Sequence, residues 1–260
     1  MNKENVQFLY EGLKYLGFGE HFIYNGQLEE AISKDPKDFT LFTEAYFEGD
    51  CKLETTLYFR RSDHIDMYFF NKYDAVLIDE SKPDPEKRQT FFINKGNGVT
   101  MKEAFNLLQG RSVNKDLTNF EGERYNAWIQ LNFEEKDLNN NHKMRQYRRQ
   151  YGFNLEKALE NYPIRELKHE EMKAGLIKSL RRGNLQLVTF VKPNKMEKMF
   201  IEANPRFKTI NIYPYTDGIG QAQAKAVPDP PEQPGTENDI PVEEDEVELP
   251  KRIPKKKNRA

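Results

Sequence analysis

Cysteine, tryptophan and long apolar runs are almost missing from this 260-residue chain, and each shortage closes off a class of protein. A lone cysteine, Cys51, cannot build a disulfide framework or a cysteine-based zinc cluster. No apolar stretch approaches the roughly 18 residues of a membrane-spanning helix, so no membrane partner is expected. The opening string MNKENVQFLYEGLKYLGF mixes acidic residues with its lysines and shows no small-residue cleavage site. It is therefore not expected to be a signal peptide, and a reduced, cytoplasmic setting is. Histidines are few and scattered, at His21, His64, His142 and His169, with no pair at metal-ligand spacing.

What remains is polar but patterned. Hydrophobic residues make up 37% of the chain and charged residues 32%, lean for a globular protein. Part of that leanness sits in one segment. From Val227 onward there are nine acidic and six basic residues, with seven prolines between Pro228 and Pro254. An acidic run at 243–248 and a basic end, KRIPKKKNR, complete it. Such a stretch cannot bury enough apolar surface to offset chain ordering, so 218–260 is expected to be disordered. The Lys255-Lys256-Lys257 end reads either as a nuclear signal in a eukaryote or as a weak, salt-sensitive polyanion tether. The body before Val227 keeps 34 basic and 33 acidic residues, a net of +1. It lacks the bulk positive field of a DNA-coating protein, although local patches remain open.

Periodicity organises that body. Val6, Leu9, Tyr10, Leu13 and Leu16 fall at helical spacing before Gly17 and Gly19, and a shorter helix fits 27–34 ahead of Asp35-Pro36. Alternation then predicts an antiparallel meander over 39–47, 53–60, 66–78 and 89–94, with a hairpin turn at Glu48-Gly49-Asp50 and a proline-containing loop at 81–87. Thr100 and Glu103 stand at capping-box spacing ahead of Met101, Ala104, Phe105 and Leu108, and Gly110 stops that helix. Helices at 154–161 and 170–182, a strand at 125–133, a paired strand over 143–151, and three strands at 185–191, 197–203 and 208–213 follow. The predicted class is α+β: antiparallel sheets with flanking helices in two halves, 1–110 and 111–217, then the tail. A single continuous sheet is the other arrangement the pattern allows.

The strand at 125–133 carries the sharpest functional signal. Tyr125, Ala127, Ile129, Leu131 and Phe133 form one row, which puts the only tryptophan, Trp128, on the other face among Asn126, Gln130 and Asn132. If the next strand pairs with it, Lys143, Arg145, Tyr147 and Arg149 share the tryptophan face, with Arg148 beside them. Exposed aromatics flanked by cations bind single-stranded nucleic acid, bases stacking on rings and phosphates on Arg/Lys. The competing arrangement puts Trp128 and Tyr147 under the helix at 154–161 and leaves the arginines solvated.

Other candidates have simpler readings. Gly96-Asn97-Gly98 lacks the lysine and Ser/Thr of a phosphate loop, and Gly17-Phe18-Gly19 lacks a third glycine at fingerprint spacing. Pro83-Asp84 followed by Asn94-Lys95 echoes a restriction-type nuclease core, but Ile93 stands where the second metal-binding acid belongs. Asp63, His64 and Asp66 read as turn residues, and Cys51 has no activating partner. No catalytic residue, cofactor or metal is expected, and the chain does not read as an enzyme.

Several strings occur together in order: MYFFNKYDA (67–75), FFINKG (91–96), KEAFNLLQGRSVNKDLTN (102–119), YNAWIQLNF (125–133), YGFNLEKAL (151–159), SLRRGN (179–184) and FIEANPRFKTINIY (200–213). Collectively they resemble an uncharacterised domain-of-unknown-function family encoded on conjugative transposons of gut anaerobic bacteria, over about residues 1–215. Related domains in that family are fused to topoisomerase-like or primase-like modules, which implies work near DNA transfer. The family defines no catalytic residues. The expectation is a noncatalytic accessory protein of a mobile genetic element that binds nucleic acid or a mobile-element protein. The alternative is a protein–protein inhibitor or adaptor of anti-defence type that binds no nucleic acid.

Overall fold

The computed structural model describes residues 3–19, 22, 25–48, 51–82, 85–94, 98–119 and 121–215. These lie in a compact unit spanning Met1–Val227; a second unit, Pro228–Ala260, lies outside the described residues, as does the rest of the expected disordered tail. So do His21, Gly49-Asp50 of the expected hairpin turn, Pro83-Asp84, Lys95 and Gly96-Asn97.

The first layer is a four-stranded antiparallel sheet in the order β1 (Asp38–Phe47), β2 (Cys51–Arg61), β3 (Tyr68–Ile78), β4 (Glu86–Phe92). Alternation works here as the sequence implied. Leu53, Leu57 and Phe59 of β2 are buried with Tyr73, Ala75 and Leu77 of β3, while Glu54, Thr56 and Tyr58 face out. Three helices cover the inner face: α1 (Lys3–Tyr15), α2 (Gln27–Ser33) and α3 (Met101–Leu108). Buried Asn5 of α1 accepts from the Tyr68 amide at 2.7 Å and donates to the Tyr68 carbonyl at 2.9 Å, which fixes the helix on the start of β3. Thr100 and Glu103 form the capping box at the head of α3. The outer face carries exposed Phe42, Tyr46 and Phe92.

A second antiparallel sheet, β5 (Val113–Thr118), β6 (Arg124–Lys136) and β7 (His142–Arg148), follows. After it come α4 (Leu155–Glu160), α5 (Glu170–Arg181) and a third sheet of β8 (Gln186–Lys192), β9 (Lys195–Asn204) and β10 (Thr209–Pro214). Strand β6 serves two cores at once. Its Ile129 and Leu131 join the core under the first sheet, and Trp128 joins a second core with α4, α5 and the third sheet. Two cores therefore share one sheet. At the end of α5, Gly183 takes φ +79°, and a Cβ there would sit 2.9 Å from the Ser112 carbonyl oxygen, so the chain passes β5 only without a side chain.

The turn between β6 and β7 is tied to the edge of β4. Gln89 donates to the His142 carbonyl and accepts from its amide, and the Thr90 amide donates to Asn141 Oδ1 at 2.8 Å. The His142 ring stands edge-on to Phe133, and its Nδ1 is buried with no hydrogen-bond partner. Burial, then the charges of Lys136 and Lys87, depress its pKa below the usual 6.5. The unfolded chain thus binds this proton more readily, so stability present above the unfolded value is lost as pH falls through the folded one. Denaturant midpoints measured from about pH 8 to about pH 5 should fall for the wild type and fall less steeply for His142→Gln. Parallel curves would remove His142 as the cause.

Candidate nucleic-acid interface

The expected pairing of β6 with β7 forms, in the register Trp128↔Tyr147, Gln130↔Arg145 and Asn132↔Lys143. Lys143, Arg145, Tyr147 and Trp128 therefore share a face. The exposed aromatic strip does not form on it. Trp128 is 7% and Tyr147 8% exposed, and both pack with Leu155, Ala158 and Leu159 of α4. Phe153 stands edge-on to the indole at 5.3 Å. Arg145 lies 3.6 Å from Glu134 and Lys143 lies 3.2 Å from Glu135, so carboxylates border the cations. Arg148 projects to the opposite face, its guanidinium 4.5 Å from the Tyr125 ring centre. Arg149 is not on the strand. The chain turns into a 3₁₀ helix at Arg149–Tyr151, which brings Tyr151 back to 5.0 Å from Tyr147, and Gly152 closes the turn at φ +84°. A helical turn that seals the second core thus replaces the last residues of the expected strand.

At its other end the same sheet face opens into a groove of about 720 Å³. One wall is α5 and the floor is β5 with the start of β6, while Tyr15 of α1 stands at the side. Lys178 and Arg181, three apart on the helix, line the wall together with Lys173, and Arg182 follows them. Cations in the last turn of α5 also oppose the negative end of its dipole. Lys115 and Arg124 come from the floor, making six cationic side chains; Glu103, Asp116 and Glu170 are the three carboxylates. Lys115 pairs with Glu103 at 2.7 Å and Arg181 with Glu156 at 2.7 Å. Among the described residues, Arg124, Lys173, Lys178 and Arg182 make no ion pair within 4.0 Å.

The floor is amide-lined. Asn114 and Asn126 exchange hydrogen bonds at 2.7 and 3.1 Å, and Asn126 also donates to Asp116 Oδ1 at 2.7 Å. Across α5 lies a smaller apolar cleft of about 280 Å³ lined by Leu159, Tyr162, Ile164 and Leu167. Sequence reasoning missed the groove. Its one legible part is the basic spacing of 173, 178, 181 and 182, because the facing residues of β5 arrive only through tertiary packing.

Among the described residues, no group of three or more His, Cys, Asp or Glu is placed to hold a metal ion. Burial, then the Asp79 charge, pushes the Cys51 thiol up, away from a reactive thiolate. No described helix is long and apolar enough to cross a membrane. Compared with protein-family models, curated proteins and solved structures, the chain matches none.

Proposed function

We propose that this chain is a noncatalytic nucleic-acid-binding protein whose contact surface is the cationic groove between α5 and the β5–β6 end of the second sheet. The observation that carries the reading is the set of four cations, Arg124, Lys173, Lys178 and Arg182, lining one concave site without ion-pair partners among the described residues. In a body of net charge +1, that local excess is where a polyanion would bind. The resemblance of the ordered strings to the conjugative-transposon family supports a setting as an accessory of a mobile genetic element, acting near DNA transfer.

The test is a fluorescence-anisotropy titration of the full chain with labelled oligonucleotides across salt concentrations. Affinity should fall with salt at a logarithmic slope of about −0.7 to −0.9 per phosphate neutralised. Lys178→Ala should reduce that slope by about 1. Lys173→Glu, Lys178→Glu and Arg182→Glu together should remove binding while leaving the melting temperature in place. Arg145→Glu with Arg149→Glu should bind as the wild type does; loss there instead would move the site to the β7 strip. No binding at low salt would sink the reading. A protein–protein adaptor would then lead, with exposed Phe42, Tyr46 and Phe92 on the outer face of the first sheet as its natural contact.

A further inference from the structure

We infer that the groove takes a single strand, its phosphates along α5 and its bases turned to the floor, and that it favours bases carrying an exocyclic amino group. The inference rests on the nucleic-acid reading above. Its first support is shape. Four of the six cations line the wall of a concavity instead of standing on a protruding element, so a duplex meets only the rim. A single strand can enter, lay its backbone on Lys173, Lys178 and Arg182, and place a base beside Tyr15, which is 65% exposed.

The second support is the hydrogen-bonding state of the floor. Both N–H donors of Asn126 are spent, one on Asn114 Oδ1 and one on Asp116 Oδ1. Asn114 gives its donors to Asn126 Oδ1 at 2.7 Å and, at 3.4 Å, to the Ala127 carbonyl. What this Asn–Asp cluster still offers is acceptors, spare lone pairs on the two amide oxygens and on the Asp116 carboxylate, while the floor's cationic donors, on Arg124 and Lys115, serve phosphate and Glu103. Such a surface receives donors. Cytosine N4 and adenine N6 supply an amino group, whereas thymine presents a carbonyl at the equivalent position and would set oxygen against oxygen.

The experiment compares oligo-dC, oligo-dT and a mixed duplex, each about ten nucleotides long, on the full chain at one salt concentration. Oligo-dC should bind roughly fivefold or more tightly than oligo-dT, and the duplex more weakly than oligo-dC. Asp116→Asn, which turns one acceptor into a donor, should bring the dC/dT ratio toward one. Tyr15→Ala should weaken both single strands by roughly fivefold or more. Equal affinity for dC and dT, a ratio unmoved by Asp116→Asn, or a preference for duplex overturns this inference and leaves the nucleic-acid reading standing. Failure of all three probes to bind overturns the nucleic-acid reading itself.

Discussion

Replacing Arg111 with alanine should destabilise the protein by about 3–5 kcal/mol, read as a shift in the urea midpoint at neutral pH. Arg111 is 9% exposed and sits between α3 and β5. It donates to Asn106 Oδ1 at 2.9 Å, lies 3.7 Å from Glu48 Oε2 and 3.8 Å from Glu202 Oε2, and rests over the Phe105 ring. Neither carboxylate contact is a hydrogen bond, so the attraction is chiefly Coulombic. It matters because the carboxylates are largely out of water. Lys102 holds the other oxygen of Glu48 at 3.1 Å, and Asn211 and Tyr213 donate to Glu202. Those partners remain in the alanine variant but do not neutralise Glu202, which keeps no cation within ion-pair distance among the described residues. Arg111→Lys should recover little, since an ammonium cannot serve Asn106 and two carboxylates in three directions. Arg111→Ala combined with Glu202→Gln should be less than additive, because the second change removes the charge that the first strands. A loss under about 1 kcal/mol for Arg111→Ala would show the junction to be hydrated and weak.

That junction joins parts of the chain that the sequence leaves separate. Glu48 follows β1, Asn106 lies in α3, and Glu202 is in β9; Asn106 Nδ2 also reaches the Arg182 carbonyl and Asn184 Oδ1 just after α5. No local pattern announces contacts across such separations. The elements were legible wherever burial has a period. The alternation of β2, the Thr100 capping box and the apolar stripe of α1 all come from rules acting within a few residues. Strand β5 was not legible, because VNKDLT has only Val113 and Leu117 to bury and becomes a strand by pairing with β6. The same limit hid the groove. Half of its cations lie on one readable helix face, but Asn114, Lys115 and Asp116 come from the unreadable strand. On β6 the sequence placed Trp128 on the correct face. It did not distinguish solvent from a second core, since a strand buried on both sides and one with exposed aromatics alternate alike.

Trp128 decides between those two meanings, and its truncation is the other change expected to cost most. Trp128→Ala should lose about 3–5 kcal/mol, because the indole packs in the second core with α4 and Phe153 and its removal leaves a cavity there. Trp128→Phe keeps an aromatic ring against Phe153 and should cost less. Both variants should be compared in urea and in the oligonucleotide titration. If the ring is core, Trp128→Phe binds single strands with wild-type affinity while the denaturation midpoint drops. If the ring stacks on a base, the order reverses and affinity falls with little change in stability. Trp128 is the only tryptophan in the chain, so emission reports on this site alone. A buried indole should emit at short wavelength in the free protein and move to long wavelength only on unfolding. Collisional quenching of the native protein by acrylamide, as efficient as that of free tryptophan, would contradict the packing and restore the stacking surface.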